Sequence, residues 1–119
     1  MIVVGDIGNT DTKICFVNHN KKIIKRITLN TKMINHNLLK KTFSKIKIKD
    51  DSIKKVLFCS VVPKVFKKIK FYFKDNYKIR CYELKNLKLD KLIKIKVNYK
   101  QIGSDRLANA ISVTNYNNN

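Results

Sequence analysis

The sequence predicts an α/β domain with a mixed five-stranded sheet that opens with a β-β-β meander and is flanked by helices. Three observations lead there. Short apolar runs at the start of the chain sit at hairpin spacing, with Gly8-Asn9 between the first two. The run Val56-Leu57-Phe58-Cys59-Ser60-Val61-Val62 is continuous, as in a strand buried on both faces of a parallel sheet. On either side of it, apolar residues recur at helical spacing.

Taken in order, Ile2-Val3-Val4 is a short strand that ends at Gly5-Asp6. Residues 13–17 alternate Ile14 and Phe16 against Lys13 and Cys15, a second strand, so residues 7–12 close a hairpin. Residues 22–29 read as a third strand, which completes an antiparallel meander. Over residues 35–48, Leu38, Leu39, Phe43 and Ile46 share one helical face, with lysines between them. The buried strand spans 55–62. Pro63 follows, a favoured first residue of a helix, and Val62, Phe66, Ile69 and Phe73 continue with helical period. Residues 78–84 form the fifth strand, and residues 91–97 are extended. A last helix from Ser104 carries Leu107, Ala108, Ala110 and Ile111 on one face. There is no internal repeat and no linker rich in Pro, Gly or Ser.

At 119 residues, the chain suits one domain with a real core. No apolar run reaches the roughly 18 residues that a membrane span needs. The start meets Asp6 at once, with no basic stretch before it, so it does not read as a secretory signal. A cytoplasmic location is the expectation. Cys15, Cys59 and Cys81 are scattered among apolar residues and read as reduced, packed thiols. His19 and His36 lie in Asn-rich stretches without metal-ligand spacing and read as exposed histidines.

The net charge is +19, which raises a nucleic-acid partner. Only Arg26, Arg80 and Arg106 are arginines, however; the other cations are lysines. Lysine, asparagine and isoleucine are over-used together, as in Lys45-Ile46-Lys47-Ile48-Lys49. All three have A- and T-rich codons, so base composition inflates them together. Nucleic-acid readers favour forked arginine contacts and stacked aromatics. The lysines are spread along the chain, and a solvated surface is the better reading.

The sharpest local constellation is Asp6-Ile7-Gly8-Asn9-Thr10-Asp11-Thr12-Lys13 on the first turn. Gly8 and Asn9 tolerate positive φ and permit a tight turn. The turn exposes N–H groups, and Thr10 and Thr12 add hydroxyl donors, so it can act as a phosphate nest built from a hairpin. Asp6 can hold Mg²⁺ through water. No G-x-x-x-x-G-K-[ST] is present, so this is not a P-loop. A plain hairpin whose Asn and Asp serve only the turn is the competing reading.

A second constellation is Gly103-Ser104-Asp105-Arg106. Ser104 can cap the last helix, and Asp105 then falls in its first turn, where the helix dipole favours a carboxylate. Such a carboxylate can orient a substrate hydroxyl and accept its proton. Arg106 can hold an anionic group in a fork. Ordinary capping chemistry with a surface arginine is the competing reading here.

Read together, the segments resemble a known family. Asp6-Ile7-Gly8-Asn9-Thr10 resembles the D-x-G-N-T start of type III pantothenate kinases. Ser60-Val61-Val62-Pro63 resembles their S-V-V-P segment. Gly103-Ser104-Asp105-Arg106 is similar to their G-A-D-R motif, and Leu107-Ala108-Asn109-Ala110 continues it. The resemblance implies a ribonuclease-H-like (actin-like ATPase) fold, with residues 1–119 as a single N-terminal lobe and the C-terminal lobe absent from the chain. It implies transfer of the ATP γ-phosphoryl to pantothenate, the first step toward coenzyme A, in a homodimer, with Mg²⁺ and a monovalent cation (K⁺ or NH₄⁺). By motif, residues Asp6 to Lys13 would bind the ATP phosphates, with Mg²⁺ at Asp6. Gly103, Ser104, Asp105 and Arg106 would line the pantothenate pocket, with Asp105 as the catalytic proton acceptor.

Two departures stand out. The family's Y-x-N-P appears here as Lys96-Val97-Asn98-Tyr99, and the second D-x-G-T-A-T motif does not follow Asn115. The 119 residues alone are therefore expected to be inactive. The alternative functions are a basic nucleic-acid-binding module and a non-catalytic regulatory relative of the kinase.

Overall fold

The computed structural model describes residues 1–20, 22–46 and 52–84. The expected strand at 91–97 and the helix from Ser104 lie outside these residues.

Five strands form one mixed sheet. They are β1 (Ile2–Ile7), β2 (Asp11–Val17), β3 (Ile23–Asn30), β4 (Lys55–Ser60) and β5 (Cys81–Glu83), in the spatial order β3-β2-β1-β4-β5. β1, β2 and β3 pair antiparallel, whereas β1–β4 and β4–β5 are parallel. This is the meander-then-parallel arrangement expected from the sequence. The helices are α1 (His36–Ser44) and α2 (Pro63–Tyr77), with a 3₁₀ turn at Thr31–Met33 between β3 and α1. Asn35 caps α1 by accepting from the Leu38 amide at 2.8 Å.

Side chains alternate across a strand, so each residue type chooses a face. Val3 and Ile7 of β1, Ile14 and Phe16 of β2, and Val56 and Phe58 of β4 pack with Leu39, Phe43, Ile69 and Phe73 of the helices in one core. Phe43 sits at its centre, edge-on to Phe16, Tyr72 and Phe73 at 5.3–5.6 Å between ring centroids. The opposite face buries Val4, Cys15, Val17 and Cys59. β4 is thus buried on both faces, as its apolar run suggested. β3 is an edge strand with Lys25 and Arg26 exposed, charges that discourage pairing with another chain.

Several expectations are corrected in detail. The fifth strand is three residues long instead of seven, because α2 runs through Tyr77 and Lys78 then turns left-handed at φ 54°. That conformation lets the Lys78 and Ile79 amides reach back to Lys74 and Phe73 and close the helix. It disfavours any residue with a Cβ. Lys78→Gly is therefore expected to stabilise the fold by about 0.5–1 kcal/mol in chemical denaturation. Unchanged or lowered stability would show that the lysine side chain makes up for its backbone.

His36 is not a simple exposed histidine. Its ring packs edge-on against Tyr72 at 5.4 Å, and Nε2 lies 3.3 Å from Asp75 Oδ2 and 3.2 Å from Asn76 Nδ2, joining α1 to α2. The cysteines are buried thiols, as expected. Burial pushes Cys15 up to about 11, against the opposing pull of Arg26 and Lys13. It pushes Cys81 up to about 12, against Lys70. Both therefore stay protonated and unreactive at neutral pH. Among the described residues, no helix is long and apolar enough to cross a membrane.

Candidate phosphate-binding site

The parallel strands β1 and β4 end side by side, with Ile7 in register with Ser60. The Val61 amide donates to the Ile7 carbonyl at 3.0 Å, and the Ser60 hydroxyl accepts from the Val62 amide at 3.0 Å. Pro63 then opens α2. The Ser60-Val61-Val62-Pro63 segment and the first hairpin therefore share the carboxyl edge of the sheet, where open α/β sheets place their ligands.

Asp6 lies near the end of β1, between Lys13 of β2 and Cys59 of β4, on the sheet face that α1 and α2 do not cover. It is only 7% exposed, and a carboxylate buried to that degree is normally held by cations or hydrogen-bond donors.

The turn after Asp6 is held from one side by Thr31. The Gly8 amide donates to the Asp11 carbonyl at 2.9 Å, closing the turn. The Thr31 hydroxyl donates to the Gly8 carbonyl at 2.8 Å, and the Thr31 amide to the Thr10 carbonyl at 2.9 Å. Thr12 and Thr31 hydroxyls meet at 2.9 Å. The single Thr31 hydroxyl proton goes to Gly8, so Thr12 is the donor in that pair. The result is a relay, Thr12 to Thr31 to the Gly8 carbonyl.

This geometry revises the expected ligand set. Thr12 is fully buried, and its proton goes to Thr31, so in this arrangement its hydroxyl braces the turn. The Gly8 amide is likewise engaged within the turn. The Ile7 side chain belongs to the core, so only its backbone borders the site. Lys78 is the sole non-glycine described residue with positive φ, so Asn9 turns without the left-handed conformation. What remains open is specific. Asn9, Thr10 and Asp11 are exposed, and the Asn9 and Thr10 amides have no acceptor among the described residues. Two adjacent amides and the Thr10 hydroxyl suit an oxyanion.

Among the described residues, no three His, Cys, Asp or Glu side chains cluster as metal ligands. One carboxylate with phosphate oxygens and water is nonetheless a donor set that suits Mg²⁺, which retains much of its water. Gly103, Ser104, Asp105 and Arg106 lie outside the described residues. Thr31 was not singled out from the sequence. An isolated threonine at a strand end is unremarkable, and only the Asp11–Asn30 register places it beside the turn.

An open cleft of about 700 Å³ lies elsewhere, lined by Lys70, Phe71, Lys74, Asp75, Lys78, Ile79 and Arg80. It surrounds the C-terminal end of α2, roughly 20 Å along the helix from Pro63 at 1.5 Å per residue. It has four cations but lies away from the carboxyl ends of β1 and β4, so the hairpin is the stronger candidate for phosphate.

The sequence family described as type III pantothenate kinase matches residues 2–119. The type III pantothenate kinase of Pelagibacter ubique (strain HTCC1062) is 64% identical over 119 residues, covering all of this chain and 48% of the relative. The chain thus spans about half the length of the curated relative it matches.

Proposed function

Because the chain belongs to the type III pantothenate kinase family, we propose that it supplies the phosphate-binding lobe of an ATP-dependent pantothenate kinase acting at the entry to coenzyme A synthesis. The observation that carries this reading is the pair of amides at the exposed residues Asn9 and Thr10, without a backbone acceptor among the described residues, at the carboxyl edge of the sheet near the buried Asp6.

In this reading the hairpin holds the β- and γ-phosphates through the Asn9 and Thr10 amides and the Thr10 hydroxyl. Asp6 would hold Mg²⁺, which when bound would supply positive charge against the transferred group. Lys13 lies in register beside Asp6 and adds a cation near the phosphates. Asp105 orients the primary hydroxyl of pantothenate and accepts its proton late in the transfer. Arg106 binds an anionic group of the substrate, and Gly103 and Ser104 let the backbone approach. The hydroxyl oxygen forms the new P–O bond as the bond from the γ-phosphorus to the β–γ bridging oxygen breaks, giving ADP and phosphorylated pantothenate. Such transfer depends mainly on positioning and charge stabilisation. Residues 1–119 form one lobe in this scheme, and a second lobe supplies the opposite wall and a K⁺ or NH₄⁺ site. A cytoplasmic homodimer completes the proposal.

The test joins residues 1–119 to the remaining C-terminal part of the Pelagibacter relative and measures ADP release with ATP, Mg²⁺ and K⁺. Pantothenate-dependent ADP release is the expected result. A folded chimera that hydrolyses or transfers nothing when pantothenate is added would refute the assignment.

A further inference from the structure

We propose that Thr31 is a positioning residue for the phosphate hairpin, holding from behind the turn whose Asn9 and Thr10 amides would receive the phosphate. This rests on reading the hairpin as the phosphate site, and it assigns a role to a residue outside the three family-like motifs.

In a trans peptide the carbonyl of one residue and the amide of the next point in opposite directions. Thr31 draws the Gly8 carbonyl toward itself through its hydroxyl, at 2.8 Å. The Asn9 amide, in the same peptide unit, must then point away from Thr31. Thr31 also holds the Thr10 carbonyl through its own amide, at 2.9 Å. The turn is thus pinned by its carbonyls at both Gly8 and Thr10: the first sets the direction of the Asn9 amide, and the two together hold the 9–10 peptide unit, which carries the Thr10 amide, from both sides. Thr31 is 2% exposed, so water does not compete for these bonds. Thr12, fully buried, donates into the same hydroxyl and fixes its direction. The 3₁₀ turn Thr31–Met33 is anchored in turn by Asn30, whose side chain accepts from the Lys32 amide at 3.0 Å.

The energetic logic is preorganisation. Without the Thr31 hydroxyl, the Gly8–Asn9 peptide unit is free to rotate, and binding must then order it. Valine fills nearly the same space and removes only that proton and acceptor. Serine restores both.

The experiment titrates the 119-residue chain with magnesium tripolyphosphate and follows the backbone amide resonances of Asn9 and Thr10. Thr31→Val is expected to weaken binding roughly tenfold, and Thr31→Ser to stay within about twofold of the unaltered chain, since the loss is one of preorganisation. If Thr31→Val fails to fold, judged from amide resonances across β4 and α2, Thr31→Ala is measured in its place, with the same loss expected. Two outcomes overturn different statements. Binding seen at Asn9 and Thr10 that is equal in Thr31→Val and the unaltered chain would end the positioning role while sparing the phosphate site. No perturbation of these amides in the unaltered chain would end the phosphate site itself, and the role of Thr31 with it. Loss in both Thr31→Val and Thr31→Ser would also contradict the proposal, because serine retains the hydroxyl.

Discussion

Asp6→Asn is expected to lower kcat/KM of the chimeric kinase by roughly 10²–10³-fold, with a raised Mg²⁺ requirement. Asparagine keeps the size and shape of the side chain but removes the charge that would hold the cation's water shell. The position is 7% exposed, where charge interactions are stronger than in bulk water. The loss should fall mainly on the transition state, in which the transferred phosphoryl group is charged and loosely held. Asp6 sits within β1, in register with Lys13 and Cys59, and the backbone pairing of β1 with β2 and β4 does not change with the side chain. Thermal stability should accordingly survive the substitution better than activity does. A variant with normal activity at limiting Mg²⁺ would remove Asp6 from the metal role.

Gly5→Ala is expected to destabilise the domain by about 3 kcal/mol or more, the upper end of what overpacking costs in a tight core. A Cβ on Gly5 would lie 2.0 Å from Phe58 Cε2 and 2.4 Å from Cδ2, far inside van der Waals contact. The Phe58 ring is fully buried and leans on Phe73 at 6.3 Å between centroids, so it has little room to retreat. Gly5 is required here by close approach and not by backbone conformation. Against a total stability of about 5–15 kcal/mol, the loss is large. Thermal unfolding reads it directly. Phe58→Leu should partly rescue Gly5→Ala, because the two residues share one space and their effects cannot add. A Gly5→Ala protein that melts with the unaltered chain would mean that β1 and β4 shift apart easily. Such a shift would also carry Asp6 with it, so tight packing under Gly5 links the core to the site.

Much of this arrangement was legible from residue order. Period-two and continuous apolar runs marked β1, β2 and β4, and Pro63 marked the start of α2 to the residue. Gly8-Asn9 placed the turn, and Asp6 lies near the end of β1 as the order of residues suggested. The details that escaped depend on register and on contacts distant in sequence. The role of Thr31 exists only because β3 pairs with β2 so that Asn30 opposes Asp11. Thr12 looked like a ligand because a hydroxyl beside a turn is normally available. Its complete burial followed from the strand's position inside the sheet, with β1 on one side and β3 on the other. His36 looked exposed among polar neighbours, yet α2 brings Asp75 and Asn76 to it across the helix pair. Lys78 shortened the fifth strand through a left-handed cap that a non-glycine residue does not announce.

The hairpin beside Asp6 is proposed to hold the metal–nucleotide complex. Adding ATP with Mn²⁺ in place of Mg²⁺ to the 119-residue chain tests it most directly, because the paramagnetic ion broadens the amide resonances nearest to it. The expected result is broadening first at residues 6–10 and at Ser60 and Val61, which share the same sheet edge. It should be much reduced in Asp6→Asn. Broadening that instead begins around Lys70, Lys74, Lys78 and Arg80 would contradict it, because the nucleotide would then be following the cationic cleft at the far end of α2 and not the hairpin.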